Sequence, residues 1–320
     1  MISLHRTPSG RGWIGRRPRR VRGEPVIPPC GHCVAQAPSG AKRGGSTLLG
    51  QALRSLLFYA VFYLQTVVLA IVVGISAIWG RTRFGWTLAL YWIHSHILAL
   101  RLLAGIKTDV EGIENIPDGP CIIASKHMSD WDIFALLPGA RRPAFIAKKE
   151  LMDIPFFGQA AMAFDTIRVD RSKGGDAIPL MLSDARRSLA NGARIIIFPE
   201  GTRKAPLEPY DYRYGVVRLY QGLNIPVVPV ALNSGLFWGR NSLLLWPGTA
   251  RARFLPAIPP GLPVEEFRGR LIAAIEGETN KLILEAYDEG LDRPISPELR
   301  DRLEKLKQGI APGPLQTTTS

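Results

Sequence analysis

The longest uncharged segment of the chain, residues 55–80, limits the folds that this sequence can adopt. Its 26 residues would form a helix about 39 Å long, whereas the hydrocarbon core of a bilayer is only about 30 Å thick. Arg54 and Arg81 flank the segment, as expected at membrane boundaries. A second apolar segment, residues 84–100, is predicted to span the membrane, to re-enter it or to lie at its surface. Each arrangement predicts that the rest of the chain lies on the cytoplasmic side of the inner membrane.

The positive charge of the protein is concentrated at its N-terminus. The net charge is +13, and residues 1–48 hold nine Lys or Arg and one Glu, so +5 remains for the rest of the chain. This segment lacks apolar periodicity, which predicts a disordered arm. Its positive charge would bind anionic lipid or nucleic acid non-specifically, and no specific nucleic acid is predicted as a partner. A solvated arm without a partner, or a start assigned too far upstream, is the alternative. Cys30 and Cys33 form a C-x-x-C pattern in a segment rich in Pro, Gly and Arg without periodicity, so we predict neither a redox nor a zinc site there.

Beyond residue 107, predicted strands alternate with predicted helices. The predicted strands are residues 108–111, 121–125, 144–147, 166–169, 194–198, 227–231 and 250–255. The predicted helices are residues 130–137, 156–164, 178–191, 214–221, 264–287 and a segment that begins at Ser296. This alternation predicts an α/β fold, a mixed, largely parallel sheet covered by helices and preceded by N-terminal membrane-associated helices. We expect membrane-associated helices over residues 49–106, the α/β domain over 107–308 and a disordered tail over 309–320.

One histidine, His127, lies beyond residue 100, directly after the predicted strand 121–125. Asp132 follows five residues later. Within a helix this spacing would separate the two side chains by about 140°, so they meet only if His127 lies in a loop that folds back over the helix start. A neutral imidazole oriented by a carboxylate is a common general base, and we predict this role for the pair. A structural histidine beside a capping aspartate is the alternative.

A second polar group, the Phe-Pro-Glu-Gly-Thr-Arg sequence of residues 198–203, follows another predicted strand. Gly201 allows backbone amides to approach an anion, Thr202 adds a hydroxyl, and Arg203 offers paired donors for a phosphate. Glu200 is predicted to position Arg203. Because the carboxyl ends of parallel strands meet at one edge of a sheet, we expect both polar groups at the same crevice. The alternative is an ordinary polar turn.

Together these segments resemble the bacterial 1-acyl-glycerol-3-phosphate acyltransferases of the glycerolipid acyltransferase family. Four ordered blocks carry the resemblance: residues 125–132 (H-x-x-x-x-D), 166–171, 198–203 (F-P-E-G-T-R, unchanged) and 225–230. Residues 148–158 are also similar to the family. The sequence departs from the family pattern at Met128, Asp165 and residues 210–215, where a lysine-containing segment is more usual.

The resemblance implies a reaction and its participants. His127 would remove the proton of a glycerol hydroxyl, and Asp132 would orient the imidazole. The acyl donor would be acyl-CoA or acyl carrier protein, and the acceptor would be lysophosphatidic acid within the membrane lipid. We expect no metal and no cofactor. The implied phosphate-binding residues are Arg171, Glu200, Gly201, Thr202 and Arg203.

Two other functions fit the same residues. The first is the same chemistry on a different acceptor, such as a lyso-ornithine lipid or another lysophospholipid. The second is a non-catalytic, membrane-anchored binding protein that uses the basic arm.

Overall fold

The computed structural model describes residues 48–79, 82–140 and 142–315. The α-helices are α1 Leu48–Ile78, α2 Thr82–Ala99, α3 Trp131–Leu136, α4 Phe157–Ala163, α5 Ile178–Ala190, α6 Gly215–Leu223, α7 Val264–Glu289 and α8 Pro297–Lys307. The strands are β1 Ile106–Glu111, β2 Ile122–Ser125, β3 Pro143–Lys148, β4 Ile167–Val169, β5 Arg194–Ile197, β6 Val227–Leu232 and β7 Gly248–Phe254. Every strand predicted from the sequence overlaps one of these strands, and every predicted helix overlaps one of these helices.

The seven strands form one sheet in the order β1-β7-β6-β2-β5-β3-β4. The strands β6, β2, β5, β3 and β4 pair in parallel, and β7 pairs antiparallel with β6. The prediction of a mixed, largely parallel sheet covered by helices is therefore confirmed. Strands β2 and β5 are neighbours near the middle of the sheet, so the loops that follow them start side by side.

Alternating side chains of the central strands build a hydrophobic core on each face of the sheet. At β2, Ile123 belongs to a core cluster that includes side chains of α1, α3 and α8, whereas Ile122 and Ala124 belong to a second cluster that includes side chains of α5 and α6. Successive side chains of a strand point to opposite faces, so a strand buried on both faces must be apolar along its whole length. This requirement explains the uninterrupted apolar runs that identified these strands in the sequence.

Helix α1 packs along the α/β domain at two distant places. Near its start, Gln51 Nε2 donates to Leu245 O at 2.5 Å, and Tyr59 OH donates to Ser242 O at 2.8 Å. Near its end, a Cβ added to Gly74 would lie 2.7 Å from Phe156 O, so only glycine permits this approach. Residues 51 and 74 are about 35 Å apart along a helix, so α1 lies against the domain over most of its length.

The opposite face of α1 exposes large apolar side chains. They include Leu49, Leu53, Leu56, Leu64 and Val67. Residues 48–76 and 84–104 are each long and apolar enough to cross a membrane, with mean hydropathies of 2.4 and 1.3. The structure therefore has an apolar surface on α1 and α2 that the described residues leave largely uncovered.

Two backbone hydrogen bonds connect the C-terminal segment to Tyr210. Tyr210 N–H donates to Gly313 O at 3.3 Å, and Leu315 N–H donates to Tyr210 O at 2.8 Å. The sequence predicts a disordered tail over residues 309–320, and both of these hydrogen bonds involve residues of that segment. Residues 316–320 lie outside the described part of the chain, as do the basic arm up to residue 47 and its C-x-x-C pattern.

Candidate active site

The two predicted polar groups lie together at the carboxyl ends of β2 and β5. Residues 126–128 form the loop after β2, and residues 198–204 follow β5. A backbone hydrogen bond joins them, since Lys204 N–H donates to His127 O at 2.8 Å. Parallel strands place the loops at their carboxyl ends on one edge of the sheet, which is where ligand crevices of open α/β sheets form.

His127 and Asp132 form a direct hydrogen bond. His127 Nδ1 donates to Asp132 Oδ2 at 2.8 Å, with His127 in the loop and Asp132 in the first turn of α3. This is the folded-back geometry that the spacing of five residues requires. Because Asp132 holds Nδ1, the other ring nitrogen, Nε2, remains to accept a proton. The side chain of His127 is 17% exposed, which gives a substrate access to the ring.

The carboxylate of Asp132 is completely buried and satisfied by several donors. Oδ2 also accepts from Met128 N at 2.7 Å and from Ser129 N at 3.0 Å. Oδ1 accepts from Ser234 Oγ at 2.5 Å and from Ser129 Oγ at 3.2 Å. Hydrogen bonds of this kind compensate for the loss of hydration and fix the position of the carboxylate.

Ser234 is a site residue that the sequence analysis missed. It lies 102 positions from Asp132 in the chain and two residues after the end of β6, the other neighbour of β2 in the sheet. The signal was the polar pair Asn233-Ser234 at the end of an apolar strand, which is the same signal that identified His127.

The imidazole of His127 also stacks on an aromatic ring from the neighbouring loop. The ring centroids of His127 and Phe198 are 3.9 Å apart, with an angle of 18° between the ring planes. This contact and the Asp132 hydrogen bond restrict both the position and the rotation of the imidazole. The first residue of the Phe-Pro-Glu-Gly-Thr-Arg segment therefore supports the candidate base.

Arg203 is held by Asp130 and not by Glu200. Arg203 Nη1 donates to Asp130 Oδ2 at 2.7 Å, and the two side chains are 30% and 44% exposed. The prediction that Glu200 positions Arg203 is wrong, because the carboxylate of Glu200 turns into the protein interior. The sequence analysis gave Asp130 no role beyond its place as the first residue of the predicted helix 130–137.

Glu200 instead belongs to a buried ionic cluster. Lys126 Nζ lies 2.8 Å from Glu200 Oε1 and 2.8 Å from Glu276 Oε1 on α7. Tyr212 OH donates to Glu276 Oε1 at 2.8 Å. Burial raises the pKa of Glu200, an effect that Lys126 opposes. Burial lowers the pKa of Lys126, but its two carboxylate partners outweigh that effect and raise it. The carboxylate of Glu200 is therefore engaged by Lys126, although the residue also lies on the wall of the cavity beside the site, and its part in phosphate binding stays a prediction.

Three other residues were predicted to bind phosphate: Gly201, Thr202 and Arg171. Gly201 has a φ of 67°, which favours glycine, and its N–H donates to Phe198 O at 2.9 Å within the turn. Thr202 is exposed beside Arg203. Arg171 begins a 3-10 helix two residues after the end of β4, but its side chain is outside the described part of the structure. Its role stays a prediction.

A large cavity opens between the site and the N-terminal helices. Its volume is about 1450 Å³, and His127, Thr202 and Arg203 lie on its wall. This volume exceeds the usual range for small-molecule sites, about 300–1,000 Å³. Much of the remaining wall is apolar and includes Leu69, Val73, Trp86, Ile93, Phe145 and Phe164. One cavity therefore has a largely apolar wall, a candidate base and a cationic side chain.

Comparisons with known proteins agree with this arrangement. The family model described as Acyltransferase matches residues 107–233, which contain both loops of the site. A 1-acyl-sn-glycerol-3-phosphate acyltransferase of Pseudomonas aeruginosa is 33% identical over 212 residues, covering 65% of this chain and 81% of the relative. The chain therefore belongs to the acyltransferase family, together with that enzyme.

More distant matches extend the comparison. The human 1-acyl-sn-glycerol-3-phosphate acyltransferase alpha is 31% identical over 168 residues, covering 51% of this chain and 59% of the human protein. The crystal structure of the 1-acyl-sn-glycerophosphate acyltransferase PlsC from Thermotoga maritima matches with a TM-score of 0.60 and 22% identity. That match covers 72% of this chain and 97% of the Thermotoga chain, and it shows the shared fold.

Proposed function

We propose that this protein transfers an acyl chain to the free hydroxyl of 1-acyl-glycerol-3-phosphate and so makes phosphatidic acid. The observation that carries the proposal is that the oriented His127 and the cationic Arg203 lie on the wall of one largely apolar cavity. A lysophosphatidic acid has one phosphate, one free hydroxyl and one acyl chain. These groups match, in that order, Arg203, His127 and the apolar wall of the cavity. The names of the Pseudomonas and human relatives support the same acceptor.

In the proposed reaction, Nε2 of His127 accepts the proton of the acceptor hydroxyl. The hydroxyl oxygen forms a bond with the carbonyl carbon of an acyl thioester, and the carbon–sulfur bond then breaks. The departing thiolate takes the proton from the imidazolium. Asp132 keeps the Nδ1 proton in place and stabilises the imidazolium, as the aspartate of a serine-hydrolase triad does. The acceptor hydroxyl acts as the nucleophile, so no acyl-enzyme intermediate forms.

Arg203 is proposed to bind the acceptor phosphate, with Thr202 and Arg171 adding contacts. A guanidinium suits this task because its paired N–H groups match two phosphate oxygens. The pair with Asp130 is partly exposed, so a phosphate can replace the carboxylate at little cost. The turn at Gly201 gives the loop the shape that directs Thr202 and Arg203 to the cavity.

The donor is proposed to be acyl-CoA or acyl carrier protein, and the site of action the cytoplasmic face of the inner membrane. The exposed apolar surface of α1 and α2 supports membrane attachment. The contacts of α1 with the domain at both of its ends favour a helix that lies along the bilayer surface. In that position the cavity receives the acceptor directly from the lipid leaflet.

An acyl-transfer assay on the purified full-length chain tests the function. Lysophosphatidic acid is offered with acyl-CoA and, separately, with acyl carrier protein, and the lipid product is identified by mass spectrometry. We expect phosphatidic acid with at least one donor. Faster acylation of a lyso-ornithine lipid or of lysophosphatidylethanolamine would replace the proposed acceptor. Lipid binding without acyl transfer to any acceptor would favour the non-catalytic alternative.

Membrane attachment has its own test. Replacing Leu56 and Leu64 on the exposed face of α1 by Asp should release the protein into the soluble fraction, whereas Leu180→Asp on α5 should not. All three leucines are more than half exposed, so the comparison separates a membrane-binding face from ordinary exposed apolar residues. Retention of the α1 variant in carbonate-washed membranes would contradict the attachment through this face.

A further inference from the structure

Four polar side chains from separate parts of the chain meet beneath the His127 loop. Lys126 follows β2, Glu200 follows β5, Tyr212 precedes α6, and Glu276 lies in the middle of α7. We call this group the buried cluster. All four residues are buried, and three contacts of 2.8 Å connect them.

The composition of the buried cluster is unusual for a group that serves only stability. Two carboxylates share one ammonium group, and removing these charges from water is energetically costly for each ion. Apolar residues of similar volume often stabilise a protein equally well or better at such positions. The hydrogen bonds described for the carboxylate of Glu276 go to Lys126 and Tyr212, so this side chain serves the cluster.

The buried cluster is connected to the backbone of His127. Lys126 is the preceding residue, and Glu200 Oε2 accepts from His127 N at 3.4 Å. On the other side, the carbonyl of His127 accepts from Lys204 N. The peptide groups on both sides of the candidate base are therefore held by the 198–204 loop. Lys126 anchors Glu200 of that loop, and Glu276 anchors Lys126.

We propose that Glu276 is a positioning residue for the acyl-transfer reaction, acting through Lys126 and Glu200 on the backbone of His127. This inference rests on the proposed role of His127 as the general base. It assigns a task to α7, which lies outside the residues 107–233 matched by the family model. The task is to hold the imidazole at the distance that proton transfer requires. A displacement of about 1 Å can reduce a rate by about 100-fold.

Two substitutions of Glu276 and one matched control test the proposal. Glu276→Ala removes both contacts of the carboxylate, whereas Glu276→Gln keeps an oxygen that can accept from Lys126 and Tyr212. The control is Glu278→Gln, two residues further along α7. The side chain of Glu278 is 15% exposed, against 10% for Glu276, and its ionic partners are Arg253 and Lys281. Neither of these partners lies in the two loops of the site.

Each full-length variant is measured for melting temperature, kcat and the KM of both substrates, with His127→Ala assayed beside it. We expect Glu276→Ala to lower kcat per folded molecule roughly 10–100-fold while both KM values stay near wild type. Glu276→Gln should recover part of that loss, and Glu278→Gln should keep the wild-type kcat. If Glu276→Ala does not fold, the comparison of Glu276→Gln with Glu278→Gln tests the proposal. A lower kcat for Glu276→Gln would support it, and equal kcat values would overturn it.

The outcomes separate the two proposals. A lower melting temperature with unchanged kcat in the Glu276 variants would reduce the buried cluster to a structural role and overturn the inference. That result, combined with an inactive His127→Ala, would leave the proposed function intact. Full activity of His127→Ala would instead overturn the proposed chemistry itself.

Discussion

Asp130 and Asp132 are two residues apart, yet they lie in opposite environments and serve different halves of the site. The carboxylate of Asp132 is completely buried and accepts from His127, Met128, Ser129 and Ser234. The carboxylate of Asp130 is 44% exposed, and its described ionic partner is Arg203, which is itself 30% exposed. One half of the site is therefore fixed by packing, and the other half is accessible to solvent and ligand.

This difference separates two requirements of the proposed reaction. Proton transfer needs a base held within a fraction of an ångström, and a buried, fully hydrogen-bonded carboxylate provides that rigidity. Binding of a phosphate needs a cation whose existing partner is easily replaced, and an exposed ion pair is worth only about 0–1 kcal/mol. We call His127, Asp132 and Ser234 the His127 half of the site, and Arg203 with Asp130 the Arg203 half. We therefore expect changes in the His127 half to act on kcat and changes in the Arg203 half to act on the acceptor KM.

The strongest test of the His127 half is His127→Ala. A general base typically contributes about 10²–10⁴-fold to a rate, so kcat should fall by at least about 100-fold. Circular dichroism should show a folded protein, because the side chain of Asp132 keeps its contacts with Met128 and Ser234. The control is His94→Ala, which changes an exposed histidine bonded to its own helix. Equal kcat values for the two variants would exclude His127 as the base.

The corresponding test of the Arg203 half is Arg203→Ala. A hydrogen bond to a charged group contributes about 1.5–3 kcal/mol, so the acceptor KM should rise roughly 10–150-fold, with a smaller change in the donor KM. Steady-state kinetics with each substrate varied in turn measure both constants. Arg270→Ala, on an exposed ion pair with Glu266, is the matched control. An increase confined to the donor KM would place the acceptor phosphate elsewhere.

A milder change in the buried half is Ser234→Ala. This substitution removes one hydrogen bond of 2.5 Å from Asp132 and leaves the other donors in place. The loss of about 1 kcal/mol should lower kcat roughly fivefold without changing either KM. Ser188→Ala, at a buried serine bonded to Asp184 O and Asp165 O, controls for the loss of a buried hydroxyl. A changed acceptor KM with a normal kcat would assign Ser234 to the other half of the site.

The sequence was sufficient for the features that depend on local pattern. The central strands were predicted because strands covered on both faces are short, uninterrupted apolar runs, as in β6, which is buried at every position. The meeting of His127 and Asp132 was predicted because a loop follows such a run and a helix start follows the loop. The end of the strand, His127 and Asp132 all lie within about a dozen consecutive residues.

The contacts that the sequence did not predict join distant parts of the chain. Ser234 reaches Asp132 across 102 positions, and Glu276 reaches Lys126 across 150. A buried glutamate on an amphipathic helix resembles a surface residue in the sequence, because its partner comes from another element. The same limit explains the incorrect pairing of Glu200 with Arg203, since neighbours in sequence on a turn can point in opposite directions.

The smallest expected effect, and the one that most sharpens the comparison, comes from Asp130→Asn. The substitution keeps the shape of the side chain but removes the charge that Arg203 now faces, so a phosphate no longer competes with a carboxylate. Because exposed ion pairs contribute about 0–1 kcal/mol, the acceptor KM should fall by at most about fivefold, with kcat unchanged. Added salt should reduce the difference in acceptor KM between this variant and the wild type, because salt screens exposed charges. Asp301→Asn, at the exposed pair with Lys305 on α8, should leave the acceptor KM at the wild-type value. A higher acceptor KM for Asp130→Asn would show that Asp130 orients Arg203 for the phosphate, and the Arg203 half would then be as preorganised as the His127 half.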